Sequence, residues 1–208
     1  MDLEYYLKKS AEDHDHLCPR QVLGVRIGLA GLEALGFSEP PKKKRLMVIC
    51  ETDGCFVDGV TSVTNCTVGH RTLRIEDYGK IAATFIDVNT EQAIRIAPHP
   101  QVRERAYAYV PQEKRHYFAQ LYGYQIMPVE ELLVFETVYL QTPVAQIIGK
   151  LGVRVNCAIC GEEIINQREI IRDGMTICRA CAGESYYQST PFVEVKNPIH
   201  STLELLHE

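Results

Sequence analysis

No stretch of this sequence approaches the roughly 18 consecutive apolar residues of a membrane-spanning helix, so no membrane is expected as a partner. The first residues, MDLEYYLKKSAEDHDH, are charged throughout and lack the apolar core of an export signal. The expected location is therefore cytoplasmic. Positive charge is also in short supply: the net charge is -5, which removes any bulk electrostatic case for nucleic acid. Several catalytic signatures are missing too, among them the nucleophile elbow, the P-loop and the kinase motifs. A cytidine-deaminase arrangement fails because there is no His-x-Glu partner and Asn156 precedes Cys157 where that signature has proline.

What is present is cysteine. Eight of them fall into two sets, Cys18, Cys50, Cys55 and Cys66 early, and Cys157, Cys160, Cys178 and Cys181 late. In a reducing compartment such clusters are more often metal ligands or catalytic groups than disulfides. The late set is Cys157-x2-Cys160, seventeen intervening residues, then Cys178-x2-Cys181. Two CxxC pairs at this spacing suit one tetrahedral four-thiolate zinc site, ahead of paired disulfides or an iron–sulfur cluster. Gly161 permits the turn after the first pair. Between the pairs, EEIINQREIIRDGMTIC reads as two short strands around an Asp173-Gly174 turn, and RACAGESYY as the start of a short helix. Four thiolates leave zinc no open position, so this site should be structural and should supply most of the module's folding energy. Residues 151–185 carry four arginines against five acids, so the module lacks a nucleic-acid footprint. A docking role suits it better than a regulator's grip on DNA.

At 208 residues and 46% hydrophobic content, the chain suits one large domain plus a small appendage. The expected organisation is a domain over 1–150, the four-cysteine module over 151–188 and a tail over 189–208 without clear periodicity. Residues 2–13 read as a short amphipathic helix. Pro19 should open a second helix to about Leu35, with Gly36 as its stop. That helix carries Gly24, Gly28 and Gly31. Each interior glycine costs about 1 kcal/mol, so something should pack very close to this backbone. The PPKKKR run at 40–45 reads as a solvated loop. LMVICE, RTLRIE, KIAATFIDV and AIRIA read as strands, with a short helix beginning near Gly54. Residues 100–123 read as helix, and Pro128 opens VEELLVF, a helix turning into a strand. The fold class is α+β: an antiparallel sheet with packed helices, plus a small C-terminal zinc ribbon or treble-clef-like module.

The early set centres on HDHLCPR, residues 14–20. In an extended segment His14, His16 and Cys18 point to one side, with the outer two about 13 Å apart, so the chain must bend for all three to converge. Pro19 places Cys18 at a helix N-cap, where the positive helix end favours thiolate. That suits a metal ligand or a nucleophile, and the residues alone leave both open. Cys55 and Asp58, three apart, share a helical face. Cys66 and His70 form a Cys-x3-His pair, while Cys50 inside an apolar strand reads as a core residue.

The run His14-x-His16-x-Cys18-Pro19-x-Gln21-x-Leu23-Gly24 resembles the signature of the FmdE family, named for a subunit of formylmethanofuran dehydrogenase. DGCFVDGV (53–60), NCTVGHRTL and DYGKIAATF (65–85) resemble it too, in the same order and spacing. The likeness covers roughly residues 10–140, and many members carry a small zinc domain like the C-terminal module. Asp15 and Arg20 stand where the family generally has glycine, and Asn65 and His70 replace a usual glycine and lysine. The ligand types are retained. The resemblance implies an α+β domain with a metal-bearing cleft, a homodimer, and an accessory role beside the subunits of a molybdenum or tungsten oxidoreductase or in one-carbon metabolism. On it, His14, His16, Cys18 and Cys55 would hold a cleft metal, expected to be zinc, with Asp58, Cys66 and His70 in reserve. The alternative is an independent zinc-dependent enzyme, with Cys18 and Asp58 as catalytic candidates.

Overall fold

In the computed structural model of the chain, which describes residues 1–12, 16–149 and 151–188, Pro19 begins helix α2 (Pro19–Ala34). Cys18 caps it. Its N–H donates to Gln21 Oε1 at 2.9 Å, and its Sγ accepts the Gln21 N–H at 3.4 Å. This is a capping box with a thiol in the hydroxyl's place. Gly36, at φ 74, ends the helix as expected. Most of α2 is buried, as befits a helix apolar on nearly every face. Helices α1 (Leu3–Ala11) and α3 (Cys55–Thr64) pack against it.

The glycines explain how α2 sits so deep. A Cβ placed on Gly59 of α3 would lie 2.8 Å from Val25 N and 2.9 Å from Gly24 Cα. Gly28 faces the Val63 side chain, and Gly31 the ring of Phe85. The expected close approach therefore has two partners, a neighbouring helix and the sheet.

The sheet runs β2-β1-β3-β4-β5, from β1 (Leu46–Cys50), β2 (Leu73–Ile75), β3 (Ala83–Asp87), β4 (Ala93–Pro98) and β5 (Leu133–Thr137). β1, β3, β4 and β5 pair antiparallel, with Val48 opposite Phe85 and Ile96 opposite Phe135. β2 joins in parallel, Val48 opposite Leu73, a detail that strand alternation does not encode. The reason is α3, a crossover that returns the chain to the end of the sheet where β1 began. Alternation splits the strands between two apolar layers. Val48, Phe85 and Ile96 face the helical core; Met47, Ile86 and Ala93 pack with Val144 of α7 (Val144–Ile148).

The helix expected over 100–123 is two, α4 (Val102–Tyr109) and α5 (His116–Ile126). Pro111 forces the break: it lacks an N–H, and it drives Val110 to φ -138, ψ 63. α6 (Val129–Leu132) then leads straight into β5. Arg26 of α2 is buried, and its guanidinium donates to the carbonyls of Tyr124 at 2.8 Å and Met127 at 2.7 Å, closing the C-terminal end of α5.

Arg45 and Asp87 tie the start of β1 to the end of β3 through a 2.7 Å Nη2–Oδ2 bond. The Arg45 hydrogen bonds hold the Asp87 carboxyl below the usual carboxylate range. The pair's contribution is therefore present above the unfolded value of about 4 and is lost as pH falls through the lowered folded value. Asp87→Asn is expected to cost about 2 kcal/mol at neutral pH and to flatten the acid limb of the stability curve. Urea midpoints at pH 7 and pH 3 measure both; an unchanged acid limb in the variant would assign the acid loss to other carboxylates.

The chain divides into two compact units, Met1–Ile148 and a second from Gly149 onward. In the second, β6 (Arg154–Asn156) pairs with β7 (Glu163–Ile165), and β8 (Ile170–Arg172) with β9 (Met175–Ile177). The expected turn joins β8 and β9, with Asp173 at φ 51 and Gly174 at φ 77. The β6–β7 hairpin, whose connection carries the first CxxC pair, was not anticipated. The short helix expected over RACAGESYY amounts to one helical turn, Ala180–Glu184, interrupted by Gly183 at φ 95. The tail over 189–208 lies outside the described residues. Among the described residues no helix is long and apolar enough to cross a membrane.

Candidate metal centres

In the C-terminal unit the Sγ atoms of Cys157, Cys160, Cys178 and Cys181 all lie within 4.8 Å of one another. Cys160 and Cys178 are 3.9 Å apart at sulfur. A zinc tetrahedron with bonds of about 2.3 Å has edges of about 3.8 Å, so the donor set fits the ion. Each pair sits on a tight knuckle. Gly161 N–H donates to Cys157 O at 2.9 Å with Gly161 at φ 77, and the Cys181 N–H donates to Cys178 Sγ at 3.3 Å. The Cys178 N–H reaches Cys157 Sγ, also at 3.3 Å, joining the two knuckles. Backbone N–H groups of Cys160 and Cys178 bring the Cys157 thiol down to about 6, whereas the neighbouring Cys178 sulfur pushes Cys181 up to about 12. Four crowded thiols ionise together only around a cation.

The α2–α3 crossing brings together two of the early cysteines. Cys18 caps α2 and Cys55 is the first residue of α3, so glycine-to-glycine contact further along the helices brings the two helix starts together. Both thiols line a cavity of about 770 Å³. Burial raises the Cys55 pKa first, followed by the charge and side chain of Cys18, so the two thiols are near neighbours on the cavity wall. Asp58, half-buried one turn along α3, adds a smaller push in the same direction. Tyr117 of α5 closes another side of the cavity, its hydroxyl donating to Leu17 O at 3.4 Å. Burial and then the charges of Cys18 and Cys55 raise its pKa.

Of the remaining candidates, His14 lies outside the described residues. His16 is an exposed bend residue that does not line the cavity. Cys66 and His70 are not brought to the thiol pair. They lie beyond the far end of α3, about 15 Å along its axis from Cys55 at 1.5 Å per residue. There the buried Cys66 thiol donates to Leu46 O at 3.6 Å, His70 Nδ1 is 3.0 Å from Thr67 Oγ1, and both line a separate cavity of about 600 Å³. Cys50 is fully buried, and desolvation pushes its thiol up to about 12, as expected of a core residue. Among the described residues, the four C-terminal cysteines form the one group of three or more converging ligands. Tyr117 was missed because a tyrosine in the aromatic run HYFAQLYGY carries no sign of what it faces.

An α+β domain followed in the chain by a four-cysteine module whose sulfurs are close enough to hold a metal ion defines the class of protein. The particular family follows from comparison. The sequence profile described as "FmdE, Molybdenum formylmethanofuran dehydrogenase operon" matches residues 13–134, and the chain belongs to this family. It is also 27% identical over 205 residues to a probable S-adenosyl-L-methionine-binding protein of Archaeoglobus fulgidus. That alignment covers 87% of this chain and 53% of the relative, so the chain spans about half the relative's length. Among solved structures, a tungsten formylmethanofuran dehydrogenase FmdE-like protein from Syntrophus aciditrophicus shares the fold. Its TM-score is 0.55 at 22% identity, covering 90% of this chain and 96% of that one.

Proposed function

We propose that this protein is a two-metal accessory protein serving a molybdenum- or tungsten-dependent oxidoreductase or a one-carbon pathway. Zinc would hold the C-terminal module together. A second metal, also zinc, would sit in the cleft on Cys18 and Cys55, with His14 and His16 as the further donors. The observation that carries this reading is that two cysteines from separate helix starts line one cavity. Mixed thiolate and imidazole donors suit zinc, which would supply a Lewis-acid centre at the cavity wall. The family description supports the link to formylmethanofuran dehydrogenase. The protein would act in the cytoplasm as a homodimer. The cavity beside the thiols also favours a second reading, an independent zinc-dependent enzyme, in which Asp58 is the candidate base.

Metal content per chain tests the core of the proposal. Purified wild type is expected to carry two metal ions, and Cys18→Ala/Cys55→Ala one, with His16→Ala weakening retention of the same ion. One metal in all three proteins would remove the cleft metal and leave the thiol pair as a reactive or structural feature. Size-exclusion chromatography with light scattering decides the dimer.

A further inference from the structure

The cleft wall has a charge that the chain as a whole does not. The net charge is -5, yet Arg20, Lys80, Arg95 and Arg103 all line the thiol cavity, and no Asp or Glu is among the described residues lining it. Arg95 is committed elsewhere: its guanidinium holds Glu51 through bonds of 2.5 Å and 2.8 Å, with Glu136 at 3.8 Å. Arg20, Lys80 and Arg103 have no ion pair among the described residues, and all three are exposed. Three uncompensated cations around a concave, low-dielectric wall focus a positive potential into it. The N-terminal end of the sixteen-residue α2, where Arg20 sits, adds to that potential. The rest of the cavity is suited to carbon: Leu23, Ile81, Val102 and Pro98 line it, with Gln120 and Tyr117 as neutral polar groups. A mainly apolar pocket with a few polar groups at one side is the usual form of a small-molecule site.

We propose that this cleft binds a small molecule bearing an oxyanion group, a carboxylate or a phosphate, which seats among Arg20, Lys80 and Arg103 while the rest of the ligand extends toward Cys18 and Cys55. The inference rests on the cleft being the functional site, and not on a metal being held there. Charge supplies recognition and the apolar wall supplies contact area. The position of the cations beside the thiols places the ligand's other end where a metal or a free thiol would meet it.

Calorimetric titration of the full chain at low ionic strength, with inorganic phosphate and with succinate as probes, tests this. Wild type is expected to bind at least one probe at one site per chain. Phosphate alone indicates a phosphoryl ligand, succinate alone a carboxylate ligand, and equal binding a general oxyanion seat. Arg20→Gln/Lys80→Gln/Arg103→Gln should weaken binding about tenfold or more, the loss of three ion contacts of about 0.5 kcal/mol each. Lys42→Gln/Lys43→Gln/Lys44→Gln, on the other basic segment, should leave it unchanged. Cys55→Ala separates the two proposals: retained binding in this variant supports the basic seat whether or not a metal is lost. No heat with either probe, undiminished binding in the arginine–lysine variant, or binding abolished by Cys55→Ala would each overturn the proposal.

Discussion

Gly59→Val is expected to prevent the N-terminal unit from folding, or to destabilise it by about 4 kcal/mol. A Cβ at this position is directed at the α2 backbone, 2.8 Å from Val25 N and 2.9 Å from Gly24 Cα. Flexible side chains yield to an added methyl group, but here both obstacles are main chain on a helix buried on nearly every side. Relief would need α3 to move away from α2, opening the core around Val22, Val25, Val60 and Val63. The same movement would part Cys18 from Cys55, so any folded fraction should also lose the shared thiol cavity. Gly69→Ala is the control: nothing lies within 4 Å of its added Cβ and its φ is not positive, so its urea midpoint should match wild type. Equal stability of the two variants would show that the helices tolerate a wider crossing.

The second large effect is expected in the C-terminal unit. Cys178→Ser, or a strong chelator, should unfold residues 151–188 while leaving the N-terminal unit's melting unchanged. Its buried apolar core is Cys157, Ile164 and Ile177, too little to offset the ordering of a chain of this length. Bound zinc typically contributes about 10–16 kcal/mol to such modules, which is decisive at this size. Cys178 is a sensitive choice because its Sγ accepts the Cys181 N–H while its own N–H holds Cys157 Sγ. Limited proteolysis with mass detection, run beside metal analysis, reads both units in one sample. Resistance of 151–188 after complete metal removal would make the module self-sufficient and end the structural-metal reading.

The N-cap at Cys18, the glycine stop at Gly36, the Asp173-Gly174 turn and the two CxxC knuckles were legible in the residues. Each depends on backbone preferences and hydrogen bonds within a few positions, and a single chain displays those directly. The demand for close packing around Gly24, Gly28 and Gly31 was legible for the same reason: glycine inside a helix costs stability unless its bareness is used. What met those glycines was not. Val63 and Phe85 are partners chosen by the crossing of α2, α3 and the sheet, and no local pattern names them.

The site divides along the same line. Residue types and a family likeness put Cys18 and Cys55 in the cleft and held Cys66 and His70 in reserve, and the direction of α3 carries the last two to the opposite end of the helix. The parallel pairing of β2, the burial of Arg26 over the end of α5 and the gathering of Arg20, Lys80 and Arg103 beside the thiols come from elements that meet across long stretches of chain. The sequence by itself determined most of the elements, several of their caps and the ligand chemistry of the module, because those are short-range. Only the tertiary structure decided which thiols share a cavity and what charge surrounds them, because long-range contacts depend on how whole faces pack rather than on any neighbouring residue.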